Sequence, residues 1–128
     1  MKYGEAFEKL GYRLEAPRLD WSASNDSGVC VSLWRSEIDW PSLSIDSRVN
    51  CGSVYTWNPA GNNKRKRHLQ QAIDNHDGWI DVVVVDGVPG QGVDKASPWI
   101  AAERRGLRWK VEDFDPEVGH FRARAVTK

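Results

Sequence analysis

A nearly continuous run of β-branched residues, entered directly from an amphipathic helix, constrains this chain most. The segment WIDVVVVDG at 79–87 has the composition of a strand that is buried on both faces. Before it, residues recur at the spacing of one buried helical face: Leu69, Ala72, Ile73 and His76. Asn62 or Asn63 is the predicted N-cap of this helix, which ends near Asn75. The strand at 79–87 is therefore predicted to lie at the centre of a sheet that a helix covers.

Shorter patterns predict the other elements. The predicted helices besides the long one are at 3–10, which Gly11 ends, and at 98–105, where Ser97 and Pro98 suit an N-cap and a first helical residue. The predicted strands besides the central one are at 29–34, at 48–57, and in a closing hairpin at 107–114 and 120–126. The segments at 22–28 and 40–46 are predicted connections.

Length and composition agree with one folded domain that spans 1–128. Hydrophobic residues make up 40% of the chain and charged residues 28%, which is ordinary globular usage. The order of the elements predicts the α+β class, with a mostly antiparallel sheet or small half-open β-barrel of about five strands and two to three helices.

The compartment is predicted from what the chain lacks. Its longest purely apolar run is Val82 to Val85, far below the roughly 20 residues that span a bilayer, so no membrane partner is expected. Cys30 and Cys51 are too few and too isolated for a disulfide framework and are predicted to be reduced. We expect a cytoplasmic protein.

Four adjacent cations stand at the predicted start of the long helix, from Lys64 to Arg67. Each cation at a helix N-terminus costs roughly 0.3–1 kcal/mol relative to an anion, because the helix dipole is positive there. A bound phosphate would reverse that sign. Helical spacing places Lys64, Arg67 and His68 on the solvent face and Arg65 beside the buried stripe. Lys64, Arg65, Arg67 and His68 are predicted to contact nucleic acid. The alternative is that these side chains only form a solvated helix face.

The closing hairpin carries a second group of cations on its outer face: Arg108, Lys110, Arg122 and Arg124. The alternation of apolar residues predicts a register with Glu112 opposite Arg122 and Lys110 opposite Arg124. Glu112 would then be the one compensating charge. The hairpin is predicted to bind phosphates of the same nucleic acid.

Seven tryptophans are many for a chain of 128 residues. Trp21 and Trp34 flank the most distinctive local pattern, WSAS followed by VCVSLW. They are predicted either to anchor the core or to line a pocket for a flat ligand such as a base, with Tyr55 or Trp57 as a second wall.

No motif identifies a reaction, a cofactor or a metal. The GVPGQG segment at 87–92 lacks the ending of a phosphate-binding loop, so a connector is predicted. Asp81 and Asp86 bracket the central strand as in some metal-dependent nucleases, but on a regular strand they face opposite sides. The three histidines, His68, His76 and His120, lack the spacing of metal ligands. No serine lies in a nucleophile motif.

Most of the chain resembles a group of short, tryptophan-rich bacterial proteins. The shared pattern is W-S-A followed by G-V-C-V-S-L-W, then N-P-A-G-N with H-L-Q-Q-A, then a closing D-P-E-V-G-H-F-R-A hairpin. This resemblance implies no activity. The layout is more loosely similar to PUA-like modules, and that similarity implies a reader of modified bases.

The sequence thus predicts a non-enzymatic module that binds DNA or RNA, with an affinity that falls steeply with salt and drops when Lys64 and Arg67 are changed to Glu. A reader of modified or unusual bases is one form of this prediction. The alternative is a protein-binding inhibitor or accessory factor of a bacterial or phage defence system, because Trp and Arg dominate interface hot spots. A metal-dependent nuclease is the third class.

Overall fold

The computed structural model describes residues 2–17, 19–53, 56–89, 97–100 and 106–127. Three α-helices lie within these residues: α1 (Tyr3–Lys9), α2 (Ser47–Asn50) and α3 (Pro59–His76). Seven strands lie within them as well: β1 (Ser22–Asn25), β2 (Gly28–Trp34), β3 (Ser44–Asp46), β4 (Trp79–Asp86), β5 (Ser97–Ile100), β6 (Leu107–Phe114) and β7 (Phe121–Thr127). A short 3₁₀ helix at Arg35–Glu37 follows β2.

The strands form one open sheet in the order β1-β2-β4-β6-β7-β3, and β5 also pairs with β4. The β2–β4 pair is parallel and the other pairs are antiparallel. The predicted α+β class with a mostly antiparallel, unclosed sheet is therefore confirmed. The described residues contain seven strands instead of about five, because β1, β3 and β5 occupy segments that were predicted otherwise.

Strand β4 is central because apolar side chains cover both of its faces, as predicted from the valine run. Val82 and Val84 belong to the buried cluster that contains Leu69 of α3. Val83, between them, belongs to a second cluster with Phe7 of α1. Each such side chain contributes roughly 1.5–3 kcal/mol by leaving water. Helices α1 and α3 thus cover opposite faces of the sheet.

The described residues of the predicted strand at 48–57, which are 48–53 and 56–57, form no strand, because the chain turns where alternation predicted extension; residues 54–55 lie outside the described part. Asp46 caps α2 by accepting a hydrogen bond from the Arg48 N–H at 3.0 Å. Val49, an apolar residue of the predicted strand, is 76% exposed. The strand of this region lies earlier, at β3, inside the predicted connection at 40–46.

Two other segments also form strands against expectation. The predicted connection at 22–28 contains β1, which pairs with β2 through a tight turn that the Asn25 side chain closes by accepting from the N–H groups of Ser27 and Gly28. The predicted helix at 98–105 begins instead as β5. Among the described residues β5 pairs only with β4, and such an edge strand tolerates Pro98, which has no N–H. Residues 101–105 lie outside the described part.

The closing hairpin forms at β6 and β7 as predicted, with one change of register. Lys110 lies opposite Arg124, as expected. The register then shifts between Val111 and Asp113, so Asp113 lies opposite Arg122 and the predicted pairing of Glu112 with Arg122 is wrong. Such a bulge inserts one residue without a direct partner.

The predicted buried stripe of α3 is only partly right. Leu69 and Ala72 are fully buried, but Ile73 is 38% exposed. No described helix has both the length and the apolar character needed to cross a bilayer.

Candidate functional site

Helix α3 begins about a turn earlier than predicted, which changes the position of its cations. Asn58 is the N-cap, and its side-chain oxygen accepts hydrogen bonds from the N–H groups of Ala60 (2.9 Å) and Gly61 (3.3 Å). Pro59 occupies the first helical position. The four cations at 64–67 therefore lie beyond the first turn, so their predicted position at the helix start is wrong, and phosphate binding by them stays a prediction.

Lys64 is not free on an open solvent face. Its ammonium lies 2.9 Å from one Asp20 carboxylate oxygen and 3.6 Å from a Glu15 oxygen, and its side chain is only 18% exposed. The hydrogen bond to Asp20 is the main cause that raises the pKa of Lys64. The nearby Lys66 ammonium donates to the Glu117 carbonyl at 3.0 Å. Arg67 is exposed, and no ion pair of it occurs among the described residues.

The hairpin cations are Arg108, Lys110, Arg122 and Arg124, and all four are exposed. Arg108 and Lys110 lie over the Trp79 ring, at 4.2 and 5.3 Å from its centroid. The other two share Glu112, which lies 3.9 Å from Arg122 and 3.5 Å from Arg124. The bulge thus lets one carboxylate serve both arginines.

The hairpin cations and α3 lie on opposite sides of the sheet. Ile80 pairs with Trp109, and both belong to the cluster that contains Leu69 of α3. The next pair, Trp79 with Lys110, faces the other way because side chains alternate along a strand. The two predicted basic areas therefore do not form one surface.

Three of the four aromatic residues predicted to form a pocket line one cavity of about 560 Å³. Trp21 precedes β1, Trp34 ends β2 and Trp57 precedes α3. Tyr55, the fourth, lies outside the described residues. Pro89, which follows β4, also lines this space. The cavity therefore lies at the carboxyl ends of the parallel strands β2 and β4. We call it the aromatic cavity.

Arg65 lies at the wall of the aromatic cavity, and only 9% of its surface is exposed. Its guanidinium carbon is 4.7 Å from the Trp21 ring, 5.1 Å from the Trp57 ring and 4.9 Å from the Phe121 ring. Its Nε has no hydrogen-bond partner among the described residues. Burial lowers the pKa of Arg65 to about 10. Arg65 was predicted to lie beside the buried stripe and to contact phosphates. Its side chain is instead buried against these rings, and the contact with nucleic acid stays a prediction.

Glu37 and Cys51 bring polar groups to the same cavity. Burial raises the pKa of the Glu37 carboxyl, and a hydrogen bond from Cys51 and the charge of Arg65 act in the opposite direction. Burial also raises the pKa of the Cys51 thiol to about 12. Both cysteines are free thiols, as predicted. Cys51 is therefore a neutral group beside a carboxyl and a guanidinium.

Close contacts hold the indole walls. Gly61 of α3 lies so near Trp21 that an added Cβ would fall 2.5 Å from an indole carbon. The Trp57 ring meets Trp21 edge-on with centroids 6.3 Å apart. Its Nε1 donates to the Cys51 carbonyl at 2.9 Å. The missing side chain of Gly61 thus allows the helix and the first wall to pack together.

A serine–histidine pair that the sequence did not suggest lies outside the cavity. The Ser22 hydroxyl is 2.6 Å from Nδ1 of His68, which is half-buried instead of lying on the predicted solvent face. Ser22 is only 1% exposed, so a substrate cannot reach its hydroxyl. The pair joins α3 to β1.

The carboxylates considered for a nuclease do not converge. Asp81 accepts a hydrogen bond from the Tyr12 hydroxyl at 2.7 Å, and Asp86 lies 3.6 Å from Arg35. In the described parts of the chain no group of three or more His, Cys, Asp or Glu side chains is placed to hold a metal ion.

Comparisons with protein-family models, with curated proteins and with solved structures found no match for this chain. The geometry of the aromatic cavity is therefore the basis for assigning a function.

Proposed function

We propose that the protein is a binding module for a nucleotide, free or as an exposed residue of a nucleic-acid strand, and that the base enters the aromatic cavity. The observation that carries this proposal is the buried Arg65 guanidinium, which faces three aromatic rings and has an unpartnered Nε. A modified or unusual base belongs to the same class of ligand.

The unpaired cation supports an acceptor-bearing ligand. A buried charge costs free energy unless it is paired and hydrogen-bonded. Stacking on Trp21 and Trp57 offsets part of that cost, but it provides no acceptor in the plane of the guanidinium. Oxygen and nitrogen acceptors of a base, or a phosphate oxygen, suit the planar fork of Arg65.

The walls support a flat ligand. Trp21, Trp34 and Trp57 line a space of about 560 Å³, within the usual range for small-molecule sites. Stacking on an aromatic side chain contributes roughly 1–3 kcal/mol per base and tolerates any base, since every base has a π-face. The position outside the carboxyl ends of parallel strands is also where α/β sheets commonly bind ligands.

Titration of the tryptophan fluorescence with mononucleotides and with short single-stranded DNA and RNA tests the proposal and separates its two sources of ligand. We expect saturable binding that Arg65→Met weakens about tenfold or more, since a hydrogen bond to a charged group contributes roughly 1.5–3 kcal/mol. Arg67→Met is the matched control, because Arg67 is exposed on the same helix. Absence of saturable binding to every mononucleotide and strand would refute the proposal, as would equal losses in the two variants.

A protein-binding module is the competing function, and Leu19 favours it. This side chain lines the aromatic cavity and is 47% exposed, which suits an apolar partner. Purification of the protein at low salt distinguishes the two functions. A protein partner that co-purifies in stoichiometric amount, with no bound nucleotide, supports the protein-binding module.

A further inference from the structure

We infer that the aromatic cavity selects guanine among the bases, with the Glu37 carboxylate accepting from its N1–H and 2-amino groups and Arg65 donating to its O6 or N7. This inference rests on the proposed function and adds a specificity to it. It starts from the presence of a carboxyl and a guanidinium in the same cavity.

Glu37 and Arg65 reach the cavity from different elements. Glu37 ends the 3₁₀ helix that follows β2, and Arg65 lies in the second turn of α3. Each side chain is close enough to shift the other's proton affinity. Neither takes part in an ion pair among the described residues. The two groups therefore lie in the same cavity without forming an ion pair with each other.

The two groups impose an order of donors and acceptors on a ligand. A carboxylate only accepts hydrogen bonds, and a guanidinium only donates them. Guanine presents two adjacent donors on its Watson–Crick edge and the acceptors O6 and N7 beside them, and Arg contact to that acceptor pair is the commonest specific contact to guanine. Both protein groups are satisfied by one base.

The other bases satisfy the pair less well. Adenine and cytosine place an acceptor nitrogen next to their amino group, so a carboxylate at that edge meets a lone pair. Uracil and thymine have one N–H between two carbonyl oxygens. The indole walls add no preference, because stacking is tolerant of base identity. The selectivity must therefore come from Glu37 and Arg65.

Titrations with GMP, IMP, AMP and UMP test the selectivity in the unmodified protein. IMP differs from GMP only by the absent 2-amino group, so we expect GMP to bind about tenfold more tightly than IMP. Equal affinities for GMP and IMP would overturn the inference. This comparison needs no variant and does not depend on any variant folding.

Substitution of the carboxylate tests the residue. In Glu37→Gln we expect the ratio of GMP to IMP affinity to fall to within about twofold, since one amide oxygen no longer accepts from both donors with a charge. Glu117→Gln, an identical change at an exposed glutamate, should keep the full ratio. A retained ratio in Glu37→Gln, with an unchanged thermal unfolding temperature, would overturn the inference.

The two proposals fail in distinguishable ways. If all four nucleotides bind equally and Arg65→Met weakens them all, the aromatic cavity binds bases without selecting guanine, and only the inference is overturned. If no nucleotide binds, both are overturned. If a zwitterionic amino acid displaces GMP and binds more tightly, Glu37 binds its ammonium group and Arg65 its carboxylate. The guanine assignment is then overturned.

Discussion

The Arg65 guanidinium lies 4.7 Å from the centre of the Trp21 indole, and Gly61, one helical turn earlier, packs against the same ring. A desolvated cation over an aromatic face gains about 2 kcal/mol or more, which offsets part of its lost hydration. The arrangement fixes the guanidinium in place but leaves Nε without an acceptor in the part of the chain that the structure describes. It therefore orients a charge without neutralising it.

This arrangement predicts that Arg65 lowers the stability of the protein. Its pKa is lowered to about 10, so the folded state disfavours the charged form at every pH below that value, and the cost is relieved only as the pH rises above it. We expect Arg65→Met to leave the free energy of unfolding at pH 7 unchanged or to raise it by about 1 kcal/mol, because an apolar side chain of similar length can replace a buried charge. Urea unfolding followed by circular dichroism measures this quantity.

Arg67→Met is the control for that measurement. Its side chain is exposed, and surface substitutions usually change stability by less than about 0.5 kcal/mol. A loss of about 2 kcal/mol or more in Arg65→Met would contradict the prediction, since it would mean that Arg65 is retained for the fold and not for a ligand.

A second prediction concerns Gly61, where the helix and the cavity wall meet. In an open helix alanine is more stable than glycine by about 1 kcal/mol. At this position the added Cβ would lie 2.5 Å from Trp21, so the indole must move. We expect Gly61→Ala to lower the free energy of unfolding by about 1–3 kcal/mol, as over-packing does. Urea unfolding measures it, together with a shift of the tryptophan emission.

Gly4→Ala in α1 is the matched control, because nothing lies within 4 Å of its added Cβ. We expect this variant to be as stable as the parent or more stable by up to about 1 kcal/mol. Equal effects of the two substitutions would show that Trp21 is not held against Gly61.

Much of the sheet could be predicted because its signals are local. The valine run of β4 and the alternation in β6 and β7 each occur within a single segment, and neighbouring residues alone make them strands. The segment after β3 shows the limit of such signals. Its alternating apolar residues predicted a strand, but the cap that Asp46 gives to α2 and the contact of the Ser47 hydroxyl with the Phe121 N–H turn the chain.

The candidate site was harder to predict because it depends on tertiary contacts. Asn58 and Pro59 suit a turn as well as a helix start, so the predicted N-cap at Asn62 or Asn63 lies about one turn too late. Placed correctly, Gly61, Arg65 and Leu69 follow one another at a spacing of four, which puts Arg65 on the buried face. Glu37 gave no local signal, because its position at the aromatic cavity depends on how the segment after β2 packs near α3.

A third prediction concerns salt. For single strands the logarithm of the affinity changes with the logarithm of the salt concentration with a slope of about −0.7 for each phosphate neutralised. If all the cations suggested by the sequence met phosphates, the slope would be roughly −5. Lys64 and the two arginines beside Glu112 already have carboxylate partners, and the hairpin cations lie across the sheet from α3.

We therefore expect a shallow slope of about −1 to −2 in titrations with a short single strand at several salt concentrations. Arg108→Gln, which changes a hairpin cation, should leave that slope unchanged. A slope near −5, or one that Arg108→Gln reduces, would show instead that the hairpin cations bind the strand.

The last prediction concerns His68, which links α3 to Ser22 at 2.6 Å. Burial lowers the pKa of His68, and the charges of Arg67 and Lys64 lower it further, against the opposing charges of Asp20 and Glu15. Below the ordinary histidine value of about 6.5 the unfolded chain therefore binds more protons than the folded one. The free energy of unfolding should fall as the pH falls from about 7 through 6.5 toward the lowered value.

Urea unfolding between about pH 7.5 and 5.5 measures this loss, and His68→Asn should reduce it because asparagine does not titrate. His76→Asn, at the end of the same helix, is the control that keeps His68 and its partners in place. If His68→Asn retains the parent's full loss of stability over this range, the proton is taken up elsewhere. The Ser22–His68 contact would then not make the packing of α3 on β1 sensitive to pH.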